Sequence, residues 1–308
     1  MAPKHARPEE TAQRAKALLA FFGDKTLAAV SGAQCRAYAA QRSTDSAARR
    51  ELEDLRAAIN HHRREGLCSE VVDVVLPREQ PPRERWLTRS EAARLILKAW
   101  RYREIQKGKP TDRRSRQHVA RFILVALYTG SRASAICGAA LQPTKDHGWI
   151  DLEHGVFYRR ASGRRESKKR QRPVPLPPGL VAHLRRWKRR GQRFAVEWNG
   201  EPVKAIEKAF ANVVREAELG AEVTPHVLRH TAATWLMQAG VDIWEAAGFL
   251  GMTVEMLSQR YGHHHPAHLE RAKNAFGRHR NRPRLATTER EQTKANVTKI
   301  ADIPRMAR

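Results

Sequence analysis

The chain has 308 residues and carries 58 Lys and Arg against 32 Asp and Glu, a formal net charge of +26. That length suits two domains better than one small module, and so large a cationic excess points to a polyanionic partner. The longest apolar run, residues 122–128, is too short to cross a bilayer, and no secretory apolar segment follows the start, so neither a membrane span nor an export signal is expected. A cytoplasmic location follows as an expectation. Cys35, Cys68 and Cys137 are widely spaced and form no C-x-x-C pair, which argues against a disulfide framework or a zinc finger.

In chain order, helical patterning comes first. From about Ser46 to Arg64, Leu52, Leu55 and Ile59 share a stripe, Arg49, Arg50, Arg56, Arg63 and Arg64 form a basic face, and Gly66 supplies a stop. We expect a helical domain over residues 1–80 whose arginines, Arg49 and Arg50 among them, turn toward phosphates. Residues 76–85 are rich in proline and charge and read as a linker. A second domain, residues 81–276, begins with W-L-T-R-S-E, where Thr88 and Glu91 stand at capping-box spacing. A helix from about His118 to Tyr128 is apolar on nearly every side and is expected to be buried, with Arg132 just past its end. Between Gly148 and Leu176 the pattern shifts to the short strands W-I-D-L, G-V-F-Y-R-R and R-P-V-P-L, with a turn containing Ser162 and Gly163. This segment carries Arg159, Arg160, Arg164, Arg165, Lys168, Lys169, Arg170 and Arg172, and at this net charge it reads as a DNA contact in preference to a solvated loop. Helical patterns resume at Gly179 and run through Phe276, and residues 277–308 form a polar, basic tail expected to be flexible or to order on binding. The fold class is therefore mainly α with a small antiparallel β-sheet.

Three short motifs carry chemistry: T-G-S-R at 129–132, T-P-H-V-L-R-H at 224–230 and R-Y-G-H-H-H at 260–265. Arg132, Arg229, His226 and Tyr261 together suit phosphoryl transfer, because guanidinium groups grip the non-bridging oxygens of a phosphodiester while a phenol oxygen serves as nucleophile. Taken alone, Arg132 reads as an arginine at a helix C-terminus, and a surface His-x-x-Arg is common. His226 and Arg229 stand at i, i+3 and share a helix face, with Pro225 at a helix start that favours an anion. Tyr128 and Tyr158 read as structural, Tyr128 within the apolar helix and Tyr158 along a strand, whereas Tyr261 lies in a polar, glycine- and histidine-rich context. The histidines of 262–268 have no Cys or carboxylate cluster beside them, so no metal is expected.

In order and spacing these motifs resemble the tyrosine recombinase (phage integrase) family, whose signature is an arginine after T-G, a lysine in a β-hairpin, H-x-x-R and a late tyrosine. The resemblance implies an N-terminal core-DNA-binding domain, A-L-L-A-F-F-G-D-K-T-L at 17–27 included, followed by a catalytic domain acting through Arg132, Lys168, His226, Arg229 and Tyr261. Lys168 takes the place of the lysine in the family's frequent T-K sequence and would be the general acid, with Lys169 the alternative register. Implied partners are double-stranded DNA, clamped by the two domains, and three further copies of the chain, as a homotetramer on two sites. No cofactor is implied, and a DNA-bound enzyme of this kind would be nucleoid-associated. The chain departs from the pattern at F-L-G-M, where Met252 stands at a frequent His or Trp position, and His263 is the candidate substitute donor. Ala135 likewise replaces a common glutamate. Few residues precede the first recognisable helix, so simple core sites are expected and no separate arm-site domain. A type IB topoisomerase and a non-catalytic DNA-binding protein with a decayed site remain alternatives.

Overall fold

In the computed structural model, which describes residues 8–80, 84–162, 171–270 and 273, capped helices carry most of the regular structure. The chain divides into two units, residues 1–83 and 84–308.

The first unit holds α1 (Pro8–Phe22), α2 (Gly32–Ala40) and α3 (Asp45–Arg64). Side-chain oxygens start the latter two: Ser31 Oγ accepts from the Gln34 N–H, and Thr44 Oγ1 from the Ala47 N–H. The stripe on α3 buries Leu52 and Ile59 against Leu18, Phe22, Val30, Tyr38 and Val74, and each such side chain contributes about 1.5–3 kcal/mol. One charge enters this core. Glu51 is buried, and Tyr38 Oη and Arg42 Nη2 each donate to one of its carboxylate oxygens at 2.7 Å, which satisfies a group that would otherwise be costly to desolvate. Arg49 departs from its expected role as a free phosphate contact. Its guanidinium donates to the Pro77 carbonyl at 2.7 Å and pairs with Glu53 at 3.3 Å, fastening the extended segment after α3 to the helix. Arg50 stays mostly exposed beside Glu53.

The second unit opens with α4 (Arg89–Arg101). The capping box forms: Thr88 Oγ1 accepts from the Glu91 N–H at 3.2 Å, and Glu91 Oε2 accepts from the Thr88 N–H at 2.8 Å. Arg85 then lies on Glu91 and holds that carboxyl down at about 2. A small hairpin, β1 (Ile105–Gln106) and β2 (Lys109–Pro110), turns through Lys107 and Gly108, both at positive φ. Next come α5 (Gln117–Thr129) and α6 (Ala133–Cys137), with Val119, Phe122, Ile123 and Val125 of α5 fully buried. Tyr128, expected as a packing residue, is instead 46% exposed.

A three-stranded antiparallel sheet follows, in the order β3 (Trp149–Asp151), β4 (Val156–Tyr158) and β5 (Val174–Pro175). Phe157 stands opposite both Ile150 and Val174 and faces the core. The expected cations Arg164, Arg165, Lys168, Lys169 and Arg170 lie outside the described residues, as does the tail 277–308. After α7 (Pro178–Arg189) the helical pattern is interrupted by a second hairpin, β6 (Glu197–Trp198) and β7 (Glu201–Pro202). Its turn, Asn199 and Gly200 at φ 52° and 81°, carries the Asn-Gly signal of a primed turn. The uninterrupted helical run expected from Gly179 is corrected accordingly.

The unit closes with α8 (Glu207–Glu216), α9 (Pro225–Gln238), α10 (Ile243–Leu250) and α11 (Val254–Tyr261). Helix α9 is its spine. Thr231 Oγ1 accepts from the Leu87 N–H at 2.9 Å and Trp235 Nε1 donates to the Leu87 carbonyl at 3.1 Å, so one helix satisfies both backbone groups of a buried residue. On its other flank Ala232 and Ala233 meet Ala246, Ala247, Leu250, Leu257 and Tyr261 in a separate cluster. Small side chains there let α10 and α11 lie close.

Helix α5 ends at Gly130 in the left-handed region, φ 57°, with its N–H bonded to the Ala126 carbonyl at 2.8 Å. A Cβ built at Gly130 would sit 2.3 Å from Leu250 Cδ2, and Leu250 is fully buried. Gly130→Ala combines strain at positive φ with overpacking and is expected to cost about 1–3 kcal/mol. Urea denaturation of the full chain checks this, and an unchanged midpoint would show that the turn and its neighbour yield freely.

Candidate active site

The T-G-S-R turn is built by its own side chains. Thr129 Oγ1 donates to the Val125 carbonyl at 2.6 Å and accepts from the Ser131 N–H at 3.2 Å, which sets Arg132 as the residue preceding α6. Arg229 reaches this turn from α9, whose start is shaped by Thr224 as cap and Pro225 in the first turn. Its Nη1 donates to the Gly130 carbonyl at 2.5 Å, and the residue is 5% exposed. His226 and His230 stand one turn apart on α9, ring centroids 4.6 Å apart and edge to face. Tyr261 ends α11, is 5% exposed, and its Oη is hydrogen-bonded to His230 Nδ1.

Arg132, His226, Arg229, His230 and Tyr261 line one pocket of ≈ 350 Å³, with Gly251, Met252, Thr253, Met256 and Arg260 completing its wall. Among the described residues that line it there is no carboxylate. The pocket is thus a concentration of positive charge without a counter-charge in its lining. Burial, and then Arg132, push the Arg229 guanidinium down to about 10. Burial, followed by Arg229 and Arg132, takes Arg159 to about 9. Both remain charged at neutral pH, and a phosphate arriving in the pocket would relieve the desolvation cost that Arg229, which lines it, bears. The histidines behave oppositely. Burial, then His226, Arg260 and Arg229, push His230 down to about 4. His226 is also lowered, by desolvation and then by Arg229, Arg132 and Arg260. Burial raises the Tyr261 phenol, while Arg260 and Arg229 pull it back.

The structure brings Arg132, His226, Arg229 and Tyr261 together and sets Met252 beside them. Two expectations are corrected. Arg159 does not face DNA: it is 5% exposed, and its Nη2 donates to the Thr129 carbonyl at 2.7 Å and to the Phe249 carbonyl at 2.9 Å. The alternation of β4 continues past its end, so Phe157 and Arg159 point inward while Arg160 is exposed. His263 is exposed in the short turn Gly262–His264, its ring 4.0 Å from that of His264, and takes no part in the pocket wall. The imidazole that touches the phenol is His230. Its signal was present, since it completes H-x-x-R-H and stands at i, i+4 from His226. Lys168 lies outside the described residues.

The Phage integrase family model matches residues 85–268, more than half of the chain. The chain belongs to the phage integrase family. It is a tyrosine recombinase similar to Tyrosine recombinase XerA of Pyrococcus furiosus, 28% identical over 216 residues that cover 68% of this chain and 67% of that protein. It is 27% identical over 172 residues to Tyrosine recombinase XerC of Listeria innocua, covering 47% of this chain and 54% of the relative, so it spans only about half of that protein. Among solved structures, the Tn1549 transposon integrase in complex with transposon right end DNA aligns with a TM-score of 0.62 at 18% identity, over 87% of this chain and 93% of that one. That likeness establishes a shared fold.

The desolvated histidines of this integrase-family site make stability depend on pH. His230 is lowered in the folded state from 6.5 to about 4, so its contribution is complete above the unfolded imidazole value and is lost as pH falls from about 6.5 toward 4. His226 and His118, also lowered, act in the same direction. The urea midpoint is expected to drop between pH 7 and 4.5, and to drop less steeply in His230→Gln. Parallel pH profiles for the two proteins would contradict this.

Proposed function

We propose that this recombinase cuts and rejoins double-stranded DNA at specific sites, with Tyr261 as the nucleophile. The observation that carries the proposal is the convergence of Arg132, Arg229 and His226 on a buried tyrosine in a pocket whose described lining holds no carboxylate. Arg132 and Arg229 grip the non-bridging oxygens of the scissile phosphate and stabilise the extra charge of the pentavalent transition state. Tyr261 Oη attacks phosphorus, the bond to the 5′-oxygen breaks, and a 3′-phosphotyrosine forms. The 5′-oxygen takes its proton from a general acid, a role that the family resemblance gives to Lys168, with Lys169 as the alternative register. The phosphodiester energy is kept in the covalent link, so a 5′-hydroxyl from a second duplex reverses the step, and the scheme calls for no metal or cofactor. Exposed Arg50 and Arg160 suit phosphate contacts, which makes binding strongly salt-dependent. Four copies of the chain on two sites would complete strand exchange, on DNA in the cytoplasm. Among the described residues no helix is long and apolar enough to cross a membrane.

The test works without the target sequence being known. The chain is expressed in cells carrying the DNA that flanks its gene, the cells are quenched in detergent, and nuclease and protease digests are searched by mass spectrometry for a nucleotide on the Tyr261 peptide. The adduct is expected in the native chain and absent from Tyr261→Phe, and sequencing the attached DNA gives the site. Arg229→Lys, which removes the planar fork, is expected to lower the cleavage rate by about 10²–10³-fold. An adduct on another residue, or none while an active recombinase yields one in parallel, would overturn the assignment.

A further inference from the structure

We infer that His230 is the proton acceptor for Tyr261: its Nδ1 takes the phenolic hydrogen as Oη closes on phosphorus. The inference rests on the recombinase reading and adds a residue that the H-x-x-R signature leaves out.

The geometry comes first. Tyr261 is almost wholly enclosed, and the partner of its Oη is His230 Nδ1. The pocket wall offers few bases: the guanidiniums of Arg132, Arg229 and Arg260 have no lone pair to give, Met252 and Met256 carry thioethers, and no carboxylate is present among the described lining residues. Two imidazoles remain. His226 is exposed with its ring edge to face against His230, and His230 holds the phenol. Acceptance at Nδ1 places the resting hydrogen of His230 on Nε2.

Burial first, then His226 and Arg229 from its own helix and Arg260 from α11, favour a neutral His230 ring before DNA arrives. The other titratable groups that share the pocket are Tyr261 of α11 and Arg132 of the turn after α5. A neutral ring has its lone pair free at physiological pH. The same cations make an imidazolium unfavourable in the empty pocket, so the transfer is coupled to the substrate. The scissile phosphate brings negative charge that compensates the arginines and supports the charge developing on His230. The proton thus moves from Oη to Nδ1 as the O–P bond forms, the bond to the 5′-oxygen breaks, and that oxygen collects its hydrogen from the separate general acid. In rejoining, His230 returns the proton to the departing phenol.

The experiment uses the full chain and the duplex sequence recovered with the Tyr261 peptide, prepared with either oxygen or sulphur at the scissile 5′ position. Sulphur leaves without a proton, so it restores activity lost through the general acid but not activity lost at the nucleophile. His230→Gln retains a polar side chain but is not a base. Its single-turnover cleavage is expected to fall about 10²–10⁴-fold at pH 7 on both duplexes. The rate should then climb about tenfold per pH unit through the alkaline range toward the phenol's own ionisation, which burial pushes above the ordinary phenol value, with DNA affinity unchanged. A loss that is flat with pH, a loss rescued by sulphur, or cleavage at the native rate would each overturn the assignment. The native protein supplies a readout that survives misfolding of the variant. Nitrogen-15 spectra of the His230 ring should show Nδ1 bare at pH 7 and no protonation above about pH 5, and a ring that carries its hydrogen on Nδ1 there would refute the role. A native chain that never forms the Tyr261 adduct refutes the recombinase reading and this inference with it, whereas a native adduct with a pH-flat His230→Gln refutes the role of His230 alone.

Discussion

The contact between the Arg229 guanidinium and the Gly130 carbonyl organises the catalytic unit. It joins the end of α5 to the start of α9, two segments far apart in the chain. It also decides what kind of site results. Buried arginines in most interiors are neutralised by carboxylates. Here Arg229 and Arg159 are held by main-chain carbonyls of Gly130, Thr129 and Phe249, which orient both cations without neutralising them, and Arg229, which lines the pocket, keeps its charge for a ligand. The left-handed turn at Gly130 is what presents its carbonyl to Arg229, so a backbone conformation that glycine adopts freely is part of the electrostatics.

Much of this was legible in the chain because it is local. The stripe Leu52, Leu55 and Ile59, the Thr88 and Glu91 capping box, the apolar run of α5 and the three short strands follow from neighbours within a turn or a strand. The motif residues Arg132, His226, Arg229 and Tyr261 were legible through their resemblance to a family, and the structure brings the four together. What escaped depends on direction and tertiary partners. Arg159 looked like one of many surface cations, and only the phase of β4 turns it inward. Arg49 shares the polar face of α3 with residues that reach solvent, but the returning segment at Pro77 captures it. Tyr128 sits in an apolar sequence yet falls on the one side of α5 left uncovered. His230 was passed over because its partner, Tyr261, comes from another helix. The hairpins at Lys107-Gly108 and Asn199-Gly200 are too short to leave an alternating pattern.

Charge in the pocket is divided between two kinds of group. The arginines stay ionised throughout the physiological range, and burial, reinforced by those arginines, keeps the histidines neutral. The attraction for phosphate is therefore insensitive to modest changes in pH, while the groups suited to moving protons remain able to accept them. Separation of binding charge from proton transfer lets one small cavity hold a polyanion and act on it.

The nucleophile rides on a helix of 8 residues that buries only Leu257 and Tyr261. Both pack in one cluster with Ala232 and Ala233 of α9 and Ala246 and Ala247 of α10. Those alanines act as spacers, since their value lies in how little room they occupy. Enlarging any of them by even one methyl group would lift α11 and carry the phenol away from the arginines while leaving both motifs intact. Among variants of this chain, loss of activity should therefore also appear at apolar positions that never touch DNA and that a search for charged or polar chemistry would pass over.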